Sequence, residues 1–132
     1  VMGVDVTVRM RGPVVWDMSE AEIVRELDDI TQDAAGAVAA QVYGRIGQNM
    51  KGSFKHPTGY YQSRVIKEKR PHAWAVTDKG VIYGPWLEGV GRRNRTTRFK
   101  GYASFRRGMQ QVSRQVPRIA GPVVDRGLDR LR

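Results

Sequence analysis

Ile23, Leu27, Ile30, Ala34, Val38, Val42 and Ile46 recur at spacings of three or four residues. That period draws one apolar stripe along a helix of about residues 19–50, and a helix this long sets the scale of the whole fold. Its start is marked. Ser19 stands three residues before Glu22, a capping box, and Asp17, Glu20 and Glu22 suit the positive end of a helix. Gly36, Gly44 and Gly47, with Ala35, Ala37, Ala39 and Ala40, make the helix slim and predict a close neighbour. That neighbour is either a sheet of the same chain or a second subunit.

The rest of the chain must cover this stripe, and its elements are short. Val4, Val6 and Val8 alternate with polar residues and predict a strand that Gly12-Pro13 ends. Residues 51–59 read as a loop. Residues 60–68, 72–78 and 80–84 read as three short strands, joined through Pro71 and through Asp78-Lys79-Gly80. Tyr83, Trp86 and Leu87, at the end of this meander, are expected to anchor the core beneath the long helix. Residues 89–101 are polar and read as a flexible basic loop. Ser104 is expected to cap a helix carrying Phe105, Met109, Val112 and Val116, which Pro117 breaks or kinks before a last piece carrying Ile119, Val123, Val124, Leu128 and Leu131. The expected class is α+β, one domain over residues 1–132. The long N-terminal helix and the broken C-terminal helix pack on a small antiparallel sheet.

Charge is divided between the two parts. Residues 1–50 hold four basic and eight acidic side chains, a net of −4, whereas residues 51–132 hold nineteen and five, a net of +14. The basic half attracts polyanions or acidic protein surfaces. Arg92, Arg93, Arg95, Arg98, Lys100, Arg106 and Arg107 crowd sixteen residues, interleaved with Phe99, Tyr102 and Phe105. Nucleic-acid binding is one reading: arginines on phosphates, rings stacked on bases. A solvated, mobile loop is a second, and docking on carboxylates of another protein is a third. Arg92, Arg93, Arg95, Arg98 and Lys100 are the candidate partner- or DNA-facing residues. Glu88, the one acid at this junction, is expected to pair with a nearby arginine.

Catalytic signatures are missing. The chain has no cysteine and two histidines, His56 and His72, without metal-ligand spacing. The stretch from Gly89 to Asn94 starts like a dinucleotide fingerprint but has Asn94 where the third glycine belongs. Asp28 and Asp29 are adjacent, so a helix directs them about 100° apart. No cofactor, no metal and no enzymatic activity are expected. No apolar run reaches the roughly 20 residues needed to cross a bilayer, and the N-terminus lacks the pattern of a signal peptide.

Thr58-Gly59, the run Tyr83-Gly84-Pro85-Trp86-Leu87-Glu88-Gly89-Val90-Gly91 and Phe99 ahead of a final helix carry a resemblance. In this order they resemble the tail-completion, or head–tail joining, family of long-tailed bacteriophages. The likeness in element order covers about residues 19–130. Val90 stands where a Gly-Thr is usual, and Arg98-Phe99-Lys100-Gly101 replaces an Arg-Pro-Phe. The resemblance implies a structural neck component rather than an enzyme, located in the virion after synthesis in the host cytoplasm. It implies a ring, usually of six copies, with itself, a head-closure or connector protein, and a tail tube or tail terminator protein as partners. DNA in the ring channel is a further contact it admits, and no membrane is involved. A stand-alone nucleic-acid-binding module is the alternative.

Overall fold

A computed structural model describes residues 18–54 and 59–131. The expected strand over Val4–Val8 and the loop residue His56 lie outside the described residues.

Helix α1 runs over Glu20–Ser53, about 50 Å at 1.5 Å per residue. The Ser19 hydroxyl accepts from the Glu22 N–H at 3.2 Å, the half of the expected box that satisfies a helix donor. Ile30, Ala34, Val38, Val42, Ile46 and Met50 are buried in a row, so the stripe read from the sequence is the spine of the core. The helix passes the expected end by three residues and stops at Phe54, whose N–H donates to the Met50 carbonyl at 3.0 Å.

Three elements lie along that spine. Strands β1 (Ile66–Arg70) and β2 (Ala73–Thr77) form an antiparallel hairpin in which Lys69 pairs with Trp74 and Ile66 with Thr77. Helices α4 (Ser104–Ser113) and α5 (Val116–Leu131) run back along α1 from its C-terminal end, with Pro117 in the first turn of α5. The architecture is α+β, a long N-terminal helix with a two-stranded sheet and C-terminal helices.

Close approach explains the small residues. The Trp74 indole lies where a Cβ on Gly36 would stand, with Nε1 at 2.9 Å, so the sheet is the neighbour there. On the opposite partners, Gly108 admits Ile46 and Gly127 admits Ile30, at 2.8 and 2.6 Å from the position of a Cβ. Each glycine lets a helix backbone approach α1 closely enough for its isoleucines to fill the gap. Gly44 and Gly47 have nothing within 4 Å and remain open on the outer side of α1.

The first expected strand starts six residues late, at Ile66, and the third, over residues 80–84, does not form. Tyr60–Arg64 forms a helical turn, α2, entered through Gly59 in the left-handed region at φ 83°. Tyr61 and Val65, four residues apart, are the pair that turns inward, a helical spacing rather than an alternating one. The segment from Val81 also fails to join the sheet. Lys79 and Gly80 both have positive φ, and the Asp78 carboxylate accepts from Gly80 N–H at 2.9 Å and from the Tyr61 hydroxyl at 2.9 Å. This turns the chain away from β2. Gly84 N–H then donates to the Val81 carbonyl at 2.9 Å, leaving Ile82 97% exposed. The expected three-stranded meander is therefore a two-stranded hairpin followed by the short helix α3 (Gly84–Glu88).

Candidate functional site

The basic segment is a closed Ω-shaped loop with its own interior. Its ends are held together by two glycines. Gly89 and Gly101 have φ of 99° and 89°, and a Cβ on Gly101 would overlap the Gly89 backbone. Only glycine fits both demands. Beside this contact the Tyr102 N–H donates to the Leu87 carbonyl at 2.6 Å.

Asn94 organises the interior. It is 3% exposed, and its side chain uses both ends. Oδ1 accepts from the Gly91 N–H at 2.9 Å, while Nδ2 donates to the carbonyls of Trp86 and Phe99, each at 3.1 Å. One amide thus ties the exit of α3, a 3₁₀ turn over Arg92–Arg95, and the returning strand of the loop. Lys100 closes the arrangement by donating from Nζ to the Asn94 carbonyl at 2.7 Å. Thr97 Oγ1 donates to the Arg93 carbonyl at 2.7 Å.

Beneath the loop runs a ladder of rings. Trp86 meets Phe99 at 4.9 Å between centroids, Phe99 meets Tyr102 at 5.0 Å, and Tyr102 meets Phe54 at 5.0 Å. Phe54 continues to Tyr61, and Tyr61 to Tyr83. Tilted and edge-on pairs at these distances are favourable beyond their buried area. The ladder fixes the loop at the C-terminal end of α1.

The N-terminus of α4 is also tied to the site. Ala103, not Ser104, occupies the capping position, in the left-handed region at φ 52°. Glu88 provides the cap: its two carboxylate oxygens accept from the Phe105 and Arg106 N–H groups at 2.9 and 3.0 Å. The expected pairing of Glu88 with an arginine is replaced by this backbone contact, since a helix start offers free donors and a positive dipole end. Ser104 Oγ is buried without a hydrogen-bond partner among the described residues.

What this frame leaves on the outside is arginine. Arg92, Arg95 and Arg98 are exposed, and among the described residues no ion pair reaches them. Arg93 lies over the Trp86 ring at 5.6 Å, a cation–π contact that fixes its direction. Lys100, also among the expected partner-facing cations, is exposed and its Nζ ties the loop to the Asn94 carbonyl. Arg107 turns inward, donating to the Tyr102 carbonyl at 3.0 Å and to Ser53 Oγ at 2.8 Å. Of the three expected anchors, Leu87 packs against the core. Tyr83 is 43% exposed on the outer side of Tyr61, and Trp86 is half-buried under the loop rather than beneath α1.

Two residues organise the site: Asn94, which the sequence shows only as a break in a glycine fingerprint, and Glu88, expected to pair with an arginine. Their signal is weak: an asparagine among arginines reads as a surface turn, and a glutamate beside arginines reads as an ion-pair partner.

Two groups carry shifted acidities. Burial, and then the hydrogen bond to Asp78, push the Tyr61 phenol well above the usual tyrosine range. Hydrogen bonds from Lys79 and Arg70 hold the half-buried Glu68 carboxyl below its ordinary value. Neither group lies in the arginine loop. Among the described residues no cluster of three or more acidic or histidine side chains is placed to hold a metal ion. No helix among them is long and apolar enough to cross a membrane. No family model, no curated protein and no solved structure matches the chain.

Proposed function

We propose that the chain is a structural neck component of a tailed bacteriophage, a ring subunit between the head-side connector and the tail tube that docks on protein through its arginine loop. One observation carries this reading. The loop is preorganised by Asn94, the Gly89–Gly101 contact and the ring ladder, yet its outward arginines have no ion-pair partner among the described residues. A rigid frame that holds unpaired guanidinium groups outward lowers the entropy cost of docking and suits planar recognition of carboxylates. The order of elements fits the family likeness: a long helix, a small sheet, the Tyr83–Gly91 run, a loop, and terminal helices.

The nucleic-acid reading draws less from the same geometry. Trp86, Phe99 and Tyr102 face one another in the ladder, so their rings are occupied and base stacking has no free platform in the loop. Binding there would rest on phosphate contacts, with steep salt dependence and little sequence preference.

The test is Arg92→Ser, Arg93→Ser, Arg95→Ser and Arg98→Ser together, introduced into the phage that encodes the chain. Stability of the purified monomer should move by no more than about 1 kcal/mol, since three of the four sites are unpaired surface positions and the fourth loses only a ring contact. Heads and tails should accumulate unjoined. Normal joining by the variant, with tight duplex binding by the wild-type monomer, would reject the proposal in favour of the nucleic-acid module.

A further inference from the structure

Within each copy, the arginine loop has an opposite number that it cannot reach. Glu22, Glu26, Asp29 and Asp33 follow one another at spacings of four, three and four, and all are exposed. At 100° per residue these spacings confine the four carboxylates to an arc of about 60° on α1. The stripe lies to the side of the buried row from Ile30 to Ile46, so it faces outward. Asp33 has the Arg130 guanidinium at 4.0 Å, whereas no ion pair among the described residues reaches Glu22, Glu26 or Asp29.

The loop and this stripe sit at opposite ends of α1. The loop is fixed to Phe54 through Tyr102, and Asp33 lies 21 positions before Phe54. At 1.5 Å per residue the nearest carboxylate is therefore about 30 Å from the loop's foundation. That is several Debye lengths at physiological salt. Two complementary, unpaired charge sets on one chain, too far apart to meet, fit a contact between copies. Because the patches differ, the contact is head-to-tail and repeats from subunit to subunit.

Resting on the reading of the chain as a ring subunit, we propose that Arg92, Arg95 and Arg98 of one copy dock on the Glu22–Glu26–Asp29 stripe of the next. The preorganised loop meets a helix face whose carboxylates repeat every turn. The helix supplies the acceptors, and the loop supplies fork-shaped donors of matching number. Exposed charge pairs are individually weak, each a factor of about two to three in affinity. Three of them at one interface amount to roughly ten- to thirty-fold. The contact is therefore weak in isolation and orients subunits more than it binds them.

A charge exchange on purified protein tests this without any virus particle. One variant carries Arg92→Glu, Arg95→Glu and Arg98→Glu; the second carries Glu22→Lys, Glu26→Lys and Asp29→Lys. Sedimentation at low salt should show concentration-dependent self-association of the wild type, lost in about 1 M salt, where the Debye length is about 3 Å. Each variant alone should be monomeric, because each presents like charges on both patches. Their mixture should associate again, in alternation, since every loop then meets a helix of opposite sign. A neutral set, Arg92→Gln, Arg95→Gln and Arg98→Gln, keeps the test valid if a reversed variant fails to fold; it should weaken association about ten-fold or more. Self-association of either reversed variant at the wild-type level would overturn the proposal. So would a mixture that stays monomeric, or a wild type that binds duplex DNA through the loop but never itself. A failed exchange in a protein that still joins heads to tails would sink this pairing alone. A successful exchange in a protein absent from particles would sink the neck reading alone.

Discussion

Replacing Asn94 by alanine tests whether the arginine loop is folded around one buried amide. The side chain makes three hydrogen bonds to main-chain groups, at 2.9, 3.1 and 3.1 Å. A net of about 1 kcal/mol per bond gives about 3 kcal/mol. The residue is 3% exposed, so the Trp86 and Phe99 carbonyls and the Gly91 N–H would lose their partner in a place with little water. Entry of a water would lower the loss and full desolvation would raise it, which brackets the cost at about 2–4 kcal/mol. Urea unfolding measures it directly: with a slope of about 2 kcal/mol per molar, the midpoint should fall by roughly 1–2 M. Arg95→Ala is the internal control, one position away and exposed, and should stay within about 0.5 kcal/mol. If Asn94→Ala also stays within that range, the residue is an ordinary surface turn and the loop has no organised interior.

Glu88→Gln keeps an acceptor but removes the charge from the start of α4, and should cost about 0.5–1.5 kcal/mol; unchanged thermal unfolding would show that the helix does not depend on this cap. Tyr61 gives a pH dependence whose sign follows from its raised acidity constant. Its contribution to stability is complete below about pH 10, the ordinary tyrosine value, and shrinks as the pH climbs beyond it, because the unfolded phenol ionises first. Tyr61→Phe should therefore flatten the alkaline loss of stability while costing about 1–2 kcal/mol at neutral pH; an alkaline limb identical to the wild type would refute this role.

The long-range order of the chain was readable because one period dominates it. From Ile23 to Ile46 the apolar residues return at helical spacing, and a helix of that length leaves little choice about where the other elements pack. The short segments were harder for a physical reason. Over five residues, Tyr60–Arg64 offers two tyrosines and a valine nearby, which suits a strand by composition, while the deciding fact is that Tyr61 and Val65 point the same way. Val81, Ile82 and Tyr83 are strand formers by composition but follow two residues with positive φ, and the Asp78 carboxylate, bonded to Tyr61, redirects them. Such a turn is set by a contact 17 positions away in the chain. The loop shows the same limit. Its arginines were visible from composition, but its frame depends on Gly89 meeting Gly101 and on Asn94 reaching Trp86 and Phe99, contacts that exist only once the chain has closed. A count of cations also cannot separate Lys100, which holds the loop, from Arg95, which faces outward.

The proposed role of this chain, a neck subunit acting through an arginine loop, is seen most directly in an image of the assembled particle. Tailed particles made from the genome that encodes the chain should be purified and their necks reconstructed by electron cryomicroscopy. A closed ring of this chain is expected between the head connector and the tail tube, with residues 89–101 ordered and lying at a protein interface. Particles that lack the chain, or a ring in which residues 89–101 touch no protein, would contradict that role.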